Sequence, residues 1–168
     1  KLQPISSDEF QKWLCELDEI LSQPEFANFR DALGYRPQFR DFLGAVFSLS
    51  SYLRDLAIRD PGRLFDILQS KPEQAFEELV SNTADMWREA AAESELMAKL
   101  RASKSQAALI CGLADLGGWW KPDRVTRALS EFADAALGAA IDFLLLQLHE
   151  NGKVELPDKQ VPHADSGL

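Results

Sequence analysis

Along most of this chain, apolar residues recur at steps of three and four. That spacing keeps side chains on one face of an α-helix, and the alternation of a half-buried strand is nearly absent. Ser6-Ser7-Asp8-Glu9 reads as a capping box, with Ser6 as cap and Glu9 three residues on. Phe10, Trp13, Leu14, Leu17, Ile20 and Leu21 then form the inward face of a helix that ends near Ser22. A short second helix carries Phe26, Phe29 and Leu33, with Gly34 expected as a left-handed stop. Pro37 opens a third, since its missing N–H is not needed in a first turn, and Phe39, Phe42, Leu43, Val46 and Phe47 follow. After a Ser-rich break at Ser48, Ser50 and Ser51 come Tyr52, Leu53, Leu56 and Ile58. Asp60-Pro61 is a cap-plus-proline start ahead of Leu64, Phe65, Ile67 and Leu68. Pro72 begins another helix with Phe76, Leu79 and Val80, extended to Met86 and Trp87.

Two long helices fill the second half. The first is predicted from about Ser94 to Leu116, with Leu96, Leu100, Ala107, Ile110 and Leu113 inward, and Gly117-Gly118 ends it. Asp123 is expected to cap the second, which runs to Glu150. Its inward face is read as Val125, Leu129, Phe132, Ala136, Ala140, Phe143 or Leu144, and Leu148. Asn151-Gly152 stops it. The expected fold is all-α: an irregular multi-helix array whose two long C-terminal helices lie antiparallel. Residues 1–152 form the helical domain, and 153–168, with Pro157, Pro162 and Gly167, form an extended tail or linker.

The chain has 168 residues and 46% hydrophobic content, enough for a core without disulfides or metals. Eighteen Lys and Arg against 27 Asp and Glu give a net charge of −9. That balance argues against nucleic acid as a partner of the whole surface, because phosphate binding relies on clustered cations. Cys15 and Cys111 match no metal or redox spacing; each reads as a small buried hydrophobe, and free thiols suit a reducing, cytoplasmic compartment. The most apolar tract, Ala135 to Ile141, is seven residues long, whereas a membrane span needs about 20. Lys1-Leu2-Gln3-Pro4 has no signal-peptide core and reads as the edge of a fragment.

Catalytic motifs are missing. His149 lies in a last helical turn and His163 in the tail, and neither has a Cys or His partner at ligand spacing. No serine stands in a Gly-x-Ser-x-Gly elbow. No Asp-x-Asp pair occurs, whereas two-metal nucleotidyl transfer needs carboxylates held close together. Gly117-Gly118-Trp119-Trp120 lacks the further glycines and Lys-Ser/Thr of a phosphate cradle, and reads as a helix-to-helix turn with packed or interfacial tryptophans. Arg101 and Lys104 form a small basic step, read as a solvated face with nucleotide or acidic-partner contact as the alternative. The residues therefore nominate no catalytic, cofactor-binding or metal-binding position.

Two stretches are more specific. Ala45-Val46-Phe47-Ser48-Leu49-Ser50-Ser51-Tyr52-Leu53 continues through Arg54-Asp55-Leu56-Ala57-Ile58-Arg59-Asp60-Pro61. Leu100-Arg101 and Ala107 to Gly117, which includes Ala114-Asp115-Leu116, are followed by Val125-Thr126-Arg127-Ala128-Leu129-Ser130 and Ala133-Asp134-Ala135-Ala136. In order and spacing, over roughly residues 40 to 150, these resemble the N-terminal region of the bifunctional glutamine synthetase adenylyltransferase/adenylyl-removing enzymes, in a version like that of alphaproteobacteria.

The resemblance implies a parent enzyme with two nucleotidyltransferase domains. One moves AMP from ATP to a tyrosine of glutamine synthetase; the N-terminal one removes it by phosphorolysis, giving ADP. The PII signalling protein and glutamine set the direction, and magnesium is held by Asp-x-Asp carboxylates after a Gly-rich motif. In the family those motifs follow a segment like Ala164-Asp165-Ser166-Gly167-Leu168, so no catalytic residue carries over to this chain. Many relatives have an arginine-rich run where this chain reads Arg101-Ala102-Ser103-Lys104-Ser105-Gln106, so no role carries over there either. The resulting expectation is a non-catalytic helical fragment that supports the enzyme and contacts glutamine synthetase or PII. The outer sides of its long helices should leave an apolar strip for a missing domain. A stand-alone helical interaction domain is the alternative.

Overall fold

The computed structural model describes residues 7–164. They form eight α-helices: α1 Ser7–Leu21, α2 Ala27–Gly34, α3 Pro37–Leu49, α4 Ser51–Arg59, α5 Pro61–Gln69, α6 Pro72–Asp85, α7 Glu93–Leu116 and α8 Pro122–Glu150. Short 3₁₀ turns at Pro24–Phe26 and Met86–Glu89 complete the order, and no strand occurs among the described residues. The all-α expectation holds. Ser6, the expected first cap, lies outside the described residues.

Local chemistry starts most of these helices. Ser50 accepts from the N–H of Leu53 at 3.3 Å at the head of α4. Asp60 accepts from the N–H of Arg63 at 3.0 Å at the head of α5, and its other oxygen pairs with the Arg63 guanidinium at 2.8 Å. Pro37 and Pro61 sit in first turns, and Pro72 begins α6. Three expectations need correction. Gly34 is the last residue of α2, and Tyr35 continues in right-handed helical geometry, so no left-handed stop forms. Met86 and Trp87 leave α6 for the tighter 3₁₀ turn. Asp123 lies inside the first turn of α8, whose start is set by Pro122, so it does not cap the helix.

Backbone contacts divide the chain into two compact units. Unit 1 comprises residues up to 75 together with 108–125. Its core gathers Leu43, Val46, Leu64 and the Trp13–Phe47 and Phe29–Phe65 ring pairs, 5.3 and 4.9 Å between centroids. Leu109, Ile110, Cys111, Leu113 and Ala114 of α7 are buried as well. Gly112 permits a close approach: a Cβ there would come within 2.7 Å of the Leu53 side chain.

Unit 2 comprises residues 76–107 and 126 onward. Trp87, Leu96, Ala139 and Phe143 form a cluster on which Met86, Ala90, Leu100 and Leu146 pack. Leu96 and Leu100 belong to the opening turns of α7, while Phe143 and Leu146 belong to the closing turns of α8. The two long helices therefore run antiparallel, as expected.

The inward face of α8 meets expectation at Phe132 and Phe143 and differs at its leucines. Ala128, Phe132, Ala139, Asp142 and Phe143 are buried, whereas Leu129, Leu144 and Leu148 are exposed. This helix carries apolar residues on several sides, so periodicity alone favours the larger leucines. The packed face joins Phe132 and Phe143 with small alanines that admit a neighbour and with a carboxylate whose partner is distant in sequence. Cys15 also departs from expectation. It is exposed, because it lies off the α1 face formed by Trp13, Leu17 and Leu21, while Cys111 is buried.

Candidate functional site

The α7–α8 turn in unit 1 gathers a set of polar and aromatic contacts. Gly118 adopts φ 71°, left-handed backbone that favours glycine. Trp119 and Trp120 turn back, and both their N–H groups donate to the Ala114 carbonyl, at 2.9 and 3.0 Å. Trp120 is buried and its indole N–H donates to Glu73 Oε1 at 2.7 Å. The Arg124 guanidinium lies 4.7 Å from the Trp120 ring centroid. Trp119 is half exposed and meets Phe42 edge-on, with 5.6 Å between centroids.

The Glu73 carboxyl is held below its ordinary pKa, first by a backbone N–H and then by the Trp120 indole, with Arg124 and Lys71 adding electrostatic support. A carboxylate kept ionised in this way makes a poor proton carrier near neutrality. Its evident work is to clamp the turn to α6. The glycine–tryptophan segment is thus a helix-to-helix turn, with one tryptophan packed and the other facing solvent. Nearby, burial pushes the Cys111 thiol up to about 11, with Arg124 opposing, which makes it a weak nucleophile.

Unit 2 anchors the segment after α8. Buried Asp142 receives the His163 backbone N–H at 3.0 Å and its ring Nδ1 at 2.7 Å on the same oxygen. Leu156 N–H donates to His149 Nδ1 at 3.2 Å, and Arg88 donates to the Gln160 carbonyl at 2.9 Å. Leu156 and Pro162 are buried. The described part of the expected linker is therefore non-helical chain strapped to its own unit. Sequence spacing gives neither histidine a partner, because the histidine and its anchor lie on different elements.

Arg101 and Lys104 are both exposed on α7, and Ser105 donates to the Arg101 carbonyl at 3.1 Å. Among the described residues, no group of three or more His, Cys, Asp or Glu side chains could hold a metal ion. No helix of the described residues is long and apolar enough to cross a membrane.

The family model of glutamate-ammonia ligase adenylyltransferase matches residues 41–164. The chain belongs to this family. Curated members extend the likeness to nearly all of it. A protein of Agrobacterium fabrum named bifunctional glutamine synthetase adenylyltransferase/adenylyl-removing enzyme is 43% identical over 99% of this chain. Proteins of the same name from Mesorhizobium japonicum and Rhodopseudomonas palustris are 36% and 35% identical over 99% and 98%. The chain spans only 17, 17 and 16% of the lengths of these three relatives. No solved structure matches the chain.

Proposed function

We propose that this chain is the helical part of a bifunctional glutamine synthetase adenylyltransferase/adenylyl-removing enzyme and precedes the adenylyl-removing site. On this reading it is non-catalytic. It braces the nucleotidyltransferase domain that follows residues 153–168 and offers surface to glutamine synthetase and to PII. ATP and magnesium belong to the catalytic domains of the longer protein, which works in the cytoplasm in the control of nitrogen assimilation. The observation that carries the reading is the 43% identity over 99% of the chain to a relative of that name, of which the chain spans 17%.

The test starts with the gene. Its frame is expected to continue past Leu168 into a Gly-rich strand and an Asp-x-Asp pair. The longer product, given adenylylated glutamine synthetase, magnesium and phosphate, is expected to release ADP, and the 168-residue chain is expected to release none. A frame that stops at Leu168 would sink the reading in favour of a stand-alone helical domain. Reproducible ADP release by the 168-residue chain would overturn the non-catalytic role.

A further inference from the structure

Opposite its packed side, α8 carries a second apolar face within unit 2. Leu129, Leu137, Leu144 and Leu148 are 47, 61, 47 and 36% exposed. Exposed Ala133 and half-buried Ala140 lie between them. From 129 the steps are four, four, three, four and four. At 3.6 residues per turn, all six side chains stay in one stripe, ~29 Å long at 1.5 Å per residue. Uncharged Thr126, Ser130 and Gln147 adjoin it and exposed Asp134 borders one flank, while Arg127, Glu131 and Asp142 project further around the helix. A charge-free strip of this length stands out in a chain that is 27% charged.

We propose that this stripe seats another helix of the same, longer polypeptide, from the part of the family protein that this chain does not span. The inference rests on the reading that the chain is one part of that enzyme. The alternation of leucine and alanine makes ridges and grooves of the kind into which a helix packs. The lack of charge matches a permanent interface, which resembles a core cut in half, more than the charged rim of a reversible one. A signalling partner that came and went would leave the stripe bare for long periods, a hazard for a soluble protein. The relatives supply the occupant, since this chain accounts for only 17% of the Agrobacterium protein. A second copy is less suited, because each carries a net charge of −9 and the two would repel.

Thiol labelling tests the assignment. Leu137→Cys is introduced in a Cys15→Ser background, because Cys15 is exposed and would react while Cys111 is buried. Maleimide labelling rates are measured for the 168-residue chain and for the longer gene product, each relative to the same protein unfolded in urea. The short chain is expected to label freely at the introduced thiol, and the longer product at least tenfold more slowly.

Equal relative rates in the two proteins would overturn the proposal. So would protection in the short chain that grows with its concentration, which would mark a second copy as the occupant. Protection of the longer product only after glutamine synthetase is added would overturn it too, marking a separate partner. A gene that ends at Leu168 is seen before any labelling and removes the parent reading. Equal labelling of an active longer product removes this inference alone.

Discussion

At the scale of single residues, Glu73 and Trp120 are 47 positions apart, yet they share a 2.7 Å hydrogen bond that ties the α7–α8 turn to α6. Glu73→Gln keeps an acceptor for the indole and removes the charge. Because this carboxylate is largely exposed, solvent screens it, and the substitution is expected to cost only about 0.5–1 kcal/mol at pH 7. The pH dependence carries the sharper signature. The folded state holds the carboxyl below its ordinary value of 4.5. Its contribution is therefore present above pH 4.5 and is lost as pH falls through the folded pKa. Urea melts of both proteins should differ above pH 4.5 and converge steadily below it; a gap that widened on acidification would exclude this role. Neither this pair nor Asp142 with His163, 21 positions apart, could be paired from sequence. Each partner looks ordinary alone, and only the packed helices bring them together.

Helices and turns show why some of the fold was legible and some was not. Cap and proline signals act over three or four residues, so the starts at Asp60-Pro61, Pro37 and Pro72 could be read directly, whereas Ser50 read only as part of a break. The buried side of α8 was legible only at Phe132 and Phe143, since the rest depends on which flank the neighbours cover. The α7–α8 turn yields the prediction proper to this scale. A Cβ at Gly118 would meet no atom within 4 Å, so Gly118→Ala carries only the backbone cost of φ 71°, about 1–2 kcal/mol. Denaturant melts should show a lower midpoint with an unchanged slope. Gly118→Asn should lose less, because asparagine tolerates left-handed backbone better.

For the molecule as a whole, the strap after α8 is the non-helical segment that the described residues of unit 2 hold in place. Asp142→Ala removes the acceptor of both His163 bonds, each to a buried carboxylate and of a class worth about 1.5–3 kcal/mol. The expected outcome is local: faster tryptic cleavage after Lys153 and Lys159 with the helical circular dichroism preserved. Unchanged cleavage would mean that Leu156, Pro162 and Arg88 hold the strap without Asp142. Family membership was legible at this scale because the motifs lie in stretches of fixed order and spacing, and the matched residues 41–164 contain both of them. One further consequence comes from the placement of the indoles. Of the four tryptophans, Trp13, Trp119 and Trp120 belong to unit 1 and Trp87 alone to unit 2, where Arg88 covers its ring at 4.4 Å. A Trp87→Phe chain therefore emits from unit 1 only. Its difference spectrum against the parent chain is a built-in optical channel for unit 2, so the melting of each half can be followed without cutting the polypeptide or attaching a dye.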